Sequence, residues 1–383
     1  THSTSNYRDD LYAFLSNDQI EKFKQDPYFD SKGLVSIGVG FNIETDRTVR
    51  LYVLNQLGVF AGQSAQEIRN RSSVFDQLIG GVTDGDEVAL VNQLNAKLRE
   101  YLGFQTSMLF MLGENQSRAI FEQILGDPVT GKTTIPTSTQ SITQVGKQWE
   151  LDEKLRNAGV TIDHNTKEYV ALMSLYYNQD PGNPLIGRNL LNALAQGERV
   201  EAWYEIRYQS NGGGSKKGVA HRRYLESDLF GLYNGANGQF PVSEQEARQV
   251  LAYLHQPNIE EQILRYERNH RLPPVPKDNF DPPNGLNRYT DPAEGFLVTA
   301  FAGPLGESPR YAYAANPNGP SGDPLTGSDE NDLLLGGTSH DIVIGGAGDD
   351  LLIGGAGAGK HWLSEKASDV VLVGSGMRNG RWV

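Results

Sequence analysis

The residues with the clearest capacity for chemistry lie near the N-terminus of this 383-residue chain. Glu21 and Asp30 are separated by eight residues, five more lead to Ser36, and Ile37-Gly38-Val39-Gly40 follows. A Glu and an Asp at this spacing alone would be common by chance. Here the pattern places Glu21 at the end of a helix, Asp30 at the entry to a β-hairpin and Ser36 on its return strand. We therefore expect all three side chains at one cleft, where paired carboxyl groups can carry out acid–base chemistry.

Short elements must position these groups. Asn17 can begin a helix that carries Ile20 and Phe23, and Pro27 prevents its continuation. Residues 29–41 then alternate in hydrophobicity between glycine-containing turns, which predicts a small β-hairpin. Apolar residues recur with helical spacing in four later segments, 90–101, 120–124, 170–177 and 190–194. The chain up to about residue 235 is therefore predicted to be α+β and helix-dominated, with a small β-hairpin lobe.

A second chemical pattern occupies an acidic tail. Residues 321–359 contribute −7 of the formal net charge of −13 and contain no Lys or Arg. From Gly336 the sequence repeats every nine residues, and the tail resembles the RTX calcium-binding repeats. In such repeats, a glycine-rich turn directs carbonyl groups and one carboxylate at Ca²⁺, and the next three residues form a strand of a parallel β-roll. The predicted ligand set is Asp332, Asp341 and Asp350 with Gly336, Gly337, Gly345, Gly346 and Gly348.

The apolar residues of the tail predict how its strands are oriented. Leu334, Val343 and Leu352 keep step with the repeated Asp and should face the roll interior. Their neighbours in each strand are also apolar, so we expect residues 370–373 or the catalytic body to cover the outer face. Lys360 should end the array, since the preceding Gly359 replaces the repeated Asp. Ca²⁺ is expected as a structural cofactor whose binding folds the tail, and none is expected for catalysis.

The N-terminal pattern resembles the phage-type lysozymes of glycoside hydrolase family 24. That family has Glu, eight residues, Asp, five residues, Ser or Thr, and then Ile-Gly-x-Gly. Residues 171–178 look like its core helix, and residues 218–227 look like its closing Gly-x-x-x-Arg-Arg segment. Residues 202–208 are more similar to the pesticin-type muramidase toxins. The resemblance spans about residues 10–235, and an enlarged middle at 45–140 interrupts it.

This resemblance implies hydrolysis of the β-1,4 bond between N-acetylmuramic acid and N-acetylglucosamine in peptidoglycan. It implies Glu21 as the general acid, Asp30 as the carboxylate that activates water, and Ser36 as the hydroxyl that holds this water. Asn178 and Arg222 are the implied substrate-binding residues. An ion pair between Arg222 or Arg223 and Glu226 is an equal alternative for the arginines.

Two other functions stay open. The chain is alternatively an RTX surface or adhesion protein whose lysozyme-like body binds glycan without cutting it. It is also compatible with an antibacterial toxin, which would have an immunity protein as partner. In each case we expect a bacterial protein that is secreted by a leaderless route.

Composition also predicts the domain boundaries and argues against several classes of protein. The predicted domains are a lysozyme-like domain at 1–240, accessory helices at 241–270, a connector at 271–324 with 11 of the 18 prolines, and the RTX roll with its cap at 325–383. The net charge of −13 argues against nucleic acid as partner, and no apolar run is long enough to span a membrane. Zero Cys excludes disulfides and thiolate chemistry.

One motif is misleading. Residues 126–133 satisfy the Walker A pattern letter by letter. A phosphate loop needs a strand before it and a helix after it. Here residues 119–125 have helical spacing, and Pro136 follows too closely for a helix to begin. The sequence therefore argues against nucleotide binding.

Overall fold

The computed structural model describes a helix-dominated α+β protein, which confirms the predicted class. Its contacts divide the chain into two compact units, one within residues 2–185 and one within residues 186–383. The predicted boundaries at 240, 270 and 324 stay predictions. The described residues are 6–18, 20–30, 33–64, 66–67, 86–102, 109–136, 141–179, 184–210, 217–232, 244–254, 256–270, 293, 310–313, 324–329, 332–335, 342–348, 350–353, 360–362 and 370–372.

The first unit begins with a helix and a small antiparallel sheet. The elements are α1 (Tyr7–Ser16), β1 (Lys24–Phe29), β2 (Val35–Gly38) and β3 (Phe41–Asn42), with the strands in sequence order in the sheet. The predicted hairpin is confirmed, since β2 pairs antiparallel with both of its neighbours.

The predicted helix after Asn17 is wrong. The side chain of Asn6 caps the N-terminus of α1 by accepting a hydrogen bond from the backbone N–H of Arg8, and Asn17 ends the helix instead of starting one. Asp9 and Asp10 in the first turn favour this earlier start, because carboxylates stabilise helix N-termini. The segment assigned to the later helix is partly a turn and partly strand β1.

The other elements of the first unit surround one buried helix. They are α2 (Arg47–Gln56), α3 (Glu87–Leu102), α4 (Glu114–Leu125), β4 (Lys132–Pro136), β5 (Ser141–Val145), α5 (Lys147–Asn157) and α6 (Lys167–Asn178). Residues 168–175 of α6 are all buried, and the ring of Tyr169 packs edge-on against Tyr7 of α1. This confirms the predicted core helix.

The helices of the second unit are packed through both apolar and charged groups. They are α7 (Arg188–Gln196), α8 (Arg199–Tyr204), a π-helical segment (Glu205–Gln209), α9 (Lys217–Phe230), α10 (Glu244–Leu254) and α11 (Pro257–His270). Arg199 of α8 donates to the buried carboxylate of Glu246 of α10 at 2.7 Å. The two accessory helices expected from the sequence are therefore present, and α10 packs on α8. No helix among the described residues has the length and hydrophobicity needed to cross a bilayer.

Short parallel strands make up the described part of the tail. They are β6 (Arg310–Tyr313), β7 (Pro324–Thr326), β8 (Asp332–Leu335), β9 (Ile342–Ile344), β10 (Leu351–Ile353), β11 (Lys360–Trp362) and β12 (Val370–Leu372). One sheet has the order β12-β10-β8-β6, and the other has the order β11-β9-β7. Leu334, Val343 and Leu352 form one buried cluster with Leu325, so the predicted inward positions are confirmed.

Two expectations for the end of the tail differ from the structure, and a cover by the catalytic body stays a prediction. Residues 360–362 form a strand where a break was expected, because β11 pairs with β9 through backbone groups that need no preceding Asp. Strand β12 does not lie over a sheet face. It extends one sheet beside β10, with Val370 opposite Leu351.

A polar network stabilises the core of the first unit. Oδ1 of Asp152 accepts a hydrogen bond from the Tyr169 hydroxyl at 2.8 Å and lies 3.0 Å from Nε2 of His164. Burial acts to raise the pKa of Asp152, but the hydrogen bonds from His164 and Tyr169 outweigh it, and the pKa is below its ordinary value. Such a carboxyl group contributes stability above its unfolded-state pKa, and this contribution is lost as the pH falls through the folded-state value.

We predict that Asp152→Asn lowers the free energy of unfolding at pH 7 by about 1–3 kcal/mol, because a partly buried, hydrogen-bonded charge is lost. The deficit relative to wild type should shrink below about pH 4, where the wild-type carboxylate becomes protonated. Urea unfolding between pH 3 and 7 measures both effects. The control is Asp26→Asn at an exposed position of β1. A deficit that stays constant down to pH 3 would contradict this assignment.

Candidate active site and candidate calcium site

Glu21 lies in the turn between α1 and β1, and not at the end of a helix as predicted. Its backbone N–H donates to the carbonyl of Leu15 at 3.2 Å. The next residue, Lys22, has a φ of +56°, a left-handed conformation that is uncommon for a residue with a side chain. The N–H of Lys22 donates to the carbonyl of Asn17 at 3.1 Å, which holds this conformation. The turn thereby fixes the point from which the Glu21 side chain leaves the backbone.

The Glu21 side chain lies directly on Gly40. Gly40 has a φ of +77°, and a Cβ added there would lie 2.7 Å from Cδ and 2.8 Å from Oε2 of Glu21. Gly40 belongs to the loop between β2 and β3, where Ile37 pairs with Phe41. Glycine alone adopts this φ readily and also leaves room for the carboxyl group. The second Gly of the Gly-x-Gly pattern is therefore required by contact with the candidate acid.

Asp30 and Ser36 lie on one face of the hairpin. The N–H of Asp30 donates to the carbonyl of Leu34 at 2.9 Å, and Oδ1 of Asp30 accepts the N–H of Leu34 at 2.9 Å. These bonds continue the β1–β2 ladder to Asp30. Ser36 is 1% exposed and lies opposite Tyr28. Because residues two apart in a strand share a face, Asp30 and Ser36 are on the face of Tyr28.

The structure therefore places the three predicted groups on one hairpin. Asp30 is at the turn that precedes β2, Ser36 is within β2, and Glu21 lies against the loop that follows β2. Strand β2 has four residues, so its ends are about 10 Å apart.

Sequence reasoning missed two neighbours of this group. Tyr28 lies directly across from Ser36, and the Lys24 ammonium group is 4.0 Å from the centroid of the Tyr28 ring. Lys24 also pairs with Glu87 at 3.3 Å. Both residues belong to β1, part of which was assigned to a helix. The β-bulge between Lys24 and Tyr28 breaks the alternation that would have indicated a strand.

The two implied substrate-binding residues lie in different units. Asn178 is exposed at the last position of α6 in the first unit. Arg222 lies on α9 in the second unit, is buried, and its Nε donates to Oε1 of Glu226 at 3.0 Å. The Arg223 guanidinium contacts the same carboxylate, and burial lowers its pKa. The alternative ion pair is thus present, but it is buried and not at the surface. Substrate binding by Asn178 and Arg222 stays a prediction.

In the tail, two glycine-containing turns lead into the neighbouring strands β8 and β10. Asp332 and Asp350, at the starts of these strands, are 4% and 2% exposed. Oδ1 of Asp350 accepts the backbone N–H of Asp332 at 2.9 Å, and Oδ2 of Asp332 accepts the Ser328 hydroxyl at 3.0 Å. The first of these bonds joins the Asp350 carboxylate to the backbone of the neighbouring turn, and the second lies within the turn of Asp332.

Oxygen atoms from both turns surround the glycines. A Cβ on Gly327 would collide with the carbonyl oxygen of Gly345 and lie 2.6 Å from Oδ2 of Asp332. A Cβ on Gly345 would collide with Oδ2 of Asp350, and one on Gly346 would collide with the carbonyl oxygen of Ser328. Only glycine fits at these positions, which accounts for the predicted Gly345 and Gly346. Gly348, like Gly346, has a φ of +105°.

These groups fit Ca²⁺, which prefers oxygen ligands only. Among the described residues, no group of three or more His, Asp or Glu side chains that could hold a metal ion is found. Residues 321–359 contain no Lys or Arg to balance the buried carboxylates. Asp341, Gly336 and Gly337 lie outside the described residues.

The comparisons with known proteins concern the tail. The family of the RTX calcium-binding nonapeptide repeat (4 copies) matches residues 326–360, which is less than a tenth of the chain. The tail thus carries RTX repeats, which implies calcium binding. A search of curated proteins finds no match for the chain.

The Walker-like segment does not form a phosphate loop. Helix α4 precedes it and strand β4 follows it, the reverse of the order that a phosphate loop requires. Asp127 folds the segment by accepting the N–H groups of Val129 and Thr130 at 2.9 and 2.7 Å. The argument from sequence against a phosphate loop here is confirmed.

We predict that Gly40→Ala destabilises the protein more than Gly62→Ala. Gly62 also has a φ of +77°, but a Cβ there would meet nothing within 4 Å. Gly62→Ala therefore reports the conformational penalty alone, about 1 kcal/mol. Gly40→Ala should cost about 0.5–1.5 kcal/mol more, because the end of the Glu21 side chain must leave its preferred position. Urea unfolding gives both values.

A double-mutant cycle with Glu21→Ala isolates the contact. The added methyl group at position 40 should be tolerated better once the Glu21 side chain is short. If Glu21→Ala leaves the penalty of Gly40→Ala unchanged, the contact does not exist in solution.

We predict that Asp350→Asn weakens calcium binding by the full-length protein at least about 10-fold, since a charged ligand becomes neutral. The control is Asp329→Asn at an exposed position of the preceding turn. Isothermal titration with Ca²⁺ measures affinity, and circular dichroism measures the accompanying gain of structure. Equal affinity of Asp350→Asn and wild type would show that this carboxylate is not a ligand.

Proposed function

We propose that the protein is a peptidoglycan muramidase with a calcium-binding RTX tail that forms a parallel β-roll. One observation supports the proposed enzymatic activity. The Glu21 carboxyl group contacts Gly40, which belongs to the hairpin that also contains Asp30 and Ser36. The resemblance of this segment to phage-type lysozymes supplies the substrate, the β-1,4 bond between N-acetylmuramic acid and N-acetylglucosamine.

In this proposal, Glu21 donates its proton to the glycosidic oxygen as the bond from that oxygen to the anomeric carbon breaks. A water molecule attacks the anomeric carbon from the opposite side of the sugar ring. Asp30 takes a proton from this water, and the Ser36 hydroxyl holds the water in place. The hydrogen bond from Leu34 to Oδ1 of Asp30 anchors the base without neutralising it.

The length of β2 favours this inverting course over a covalent intermediate. Asp30 is bonded to Leu34, just before this strand of about 10 Å, and Glu21 lies against Gly40, in the loop after it. Inverting glycosidases hold their carboxyl groups roughly 6.5–9.5 Å apart to admit water, whereas retaining enzymes hold them at roughly 5–5.5 Å. The wider spacing is closer to the length of β2.

The tail suggests where the enzyme works. RTX repeats are typical of secreted proteins, and extracellular calcium modules bind with a Kd of about 10⁻⁴ to 10⁻³ M. Because calcium binding and folding are coupled in such repeats, the tail would complete its fold outside the cell, where peptidoglycan is accessible.

We predict that Glu21→Gln reduces hydrolysis of purified peptidoglycan by about 10²-fold or more and retains binding, because only the transferable proton is lost. Release of reducing ends measures hydrolysis, and co-sedimentation with sacculi measures binding. The matched control is Asp18→Asn, an exposed carboxylate in the same turn, which should keep wild-type activity.

The same experiment distinguishes the alternative. A wild-type protein that binds sacculi but releases no reducing ends would refute the muramidase and favour an RTX surface protein that binds glycan only. Equal activities of Glu21→Gln and wild type would refute the role of Glu21.

A further inference from the structure

The turn that imitates a phosphate loop supports an exposed tryptophan. Trp149 lies in the first turn of α5, and its side chain rests on the backbone of Gly131. A Cβ on Gly131 would lie 2.7 Å from Cγ and 3.1 Å from Cβ of Trp149. One side of the tryptophan is therefore backed by main chain, while the side chain is still 40% exposed.

The support beneath this side chain is rigid. The N–H of Gly131 donates to the carbonyl of Asp127, and the N–H of Gly146 donates to the carbonyl of Gly131, both at 2.9 Å. A Cβ on Gly126 would lie 2.9 Å from Cα of Gly146, so these backbones are in close contact. A side chain held on such a support loses little conformational freedom when a ligand binds it.

Two exposed valines lie on the segments that support Trp149. Val129 is 90% exposed at the tip of the turn, although hydrogen bonds fix the turn on both sides of it. Val145 is 47% exposed and lies opposite Lys132, the residue after Gly131. Large apolar side chains held rigidly in water indicate a binding surface when they are contiguous.

The size of this surface limits what can bind it. Three partly exposed side chains offer at most a few hundred Å², whereas a standard protein–protein interface buries about 800 Å² on each partner. A second copy of the chain or another protein would need far more contact area. A single sugar ring needs only one aromatic face.

We propose that Trp149, Val129 and Val145 form a secondary binding site for the N-acetylated sugar rings of a polysaccharide. The C–H groups on one face of a pyranose carry partial positive charge, which the negative π-face of an indole attracts. The acetamido methyl groups are apolar and match the flanking valines. The choice of peptidoglycan as the polysaccharide rests on the proposed function.

A second site on the first unit fits an insoluble polymer. A chain held at one point presents its neighbouring bonds at high local concentration to the catalytic groups of the same protein. The site should therefore affect action on sacculi and leave the turnover of short soluble fragments unchanged.

The test is co-sedimentation of the full-length, calcium-loaded protein with purified sacculi, in the Glu21→Gln background to prevent hydrolysis. Trp149→Ala should raise the half-saturating sacculus concentration about 3- to 10-fold. Trp149→Phe should restore part of the affinity. Val129→Ser, at a position whose side chain is almost wholly in water, should weaken binding less than Trp149→Ala without disturbing the fold.

The matched control is Val88→Ala, which removes another exposed apolar side chain, on α3. Equal binding by Trp149→Ala and its parent, or an equal loss in Val88→Ala, would overturn the proposal. If Trp149→Ala alters the thermal unfolding curve, Val129→Ser and Trp149→Phe decide the question: no loss of binding in either variant overturns the proposal.

The outcome is separable from that for the proposed function. Weakened binding of Trp149→Ala together with an inactive wild type would refute the muramidase and keep this site. An active wild type whose binding does not depend on Trp149 or Val129 would refute this site alone. In the otherwise wild-type protein, Trp149→Ala should hydrolyse a short soluble peptidoglycan fragment of alternating N-acetylmuramic acid and N-acetylglucosamine at the wild-type rate. A loss of that rate would show that Trp149 belongs to the catalytic groove.

Discussion

The Glu21 carboxyl group rests on Cα of Gly40, and this contact joins the turn after α1 to the hairpin. It constrains both partners, because the loop needs a residue without a side chain and the turn needs the left-handed backbone of Lys22. Neither element is regular enough to hold a carboxyl group alone. The position of the candidate acid therefore depends on packing between two irregular segments, the turn after α1 and the loop after β2.

The same kind of contact, a side chain packed against a glycine, occurs at two other candidate binding sites. Oδ2 of Asp350 lies against Gly345 in the tail, and Trp149 lies against Gly131 on the first unit. In each case, the missing Cβ lets a functional side chain lie directly on main chain. Backbone is stiffer than a neighbouring side chain, so each group is positioned with less loss of freedom on binding. A methyl group at any of these glycines would displace the group that the glycine supports.

The sequence predicted regular elements well where hydrophobic spacing and burial agree. The core helix around Met173 and the inward positions Leu334, Val343 and Leu352 follow from period alone. The prediction from sequence failed between residues 17 and 26, because the helix begins after the cap residue Asn6 and ends at Asn17. It also failed at β11, because parallel pairing with β9 uses backbone groups and is indifferent to the loss of one Asp.

The candidate sites show a similar division between what spacing can predict and what it cannot. The repeat period placed Asp332 and Asp350 on adjacent turns because parallel strands in register carry equivalent residues side by side. Spacing alone could not place Glu21, whose position depends on an unusual φ at Lys22 and on contact with a loop 19 residues away. Nor could it reveal the support for Trp149, since Gly131 lies 18 residues before it in the sequence. A repeated structure can thus be predicted from local sequence. The position of the candidate catalytic pair instead depends on contacts between separate segments, which residue spacing does not predict. The candidate calcium site can therefore be recognised from its repeat, whereas the proposed hydrolase site must be tested residue by residue.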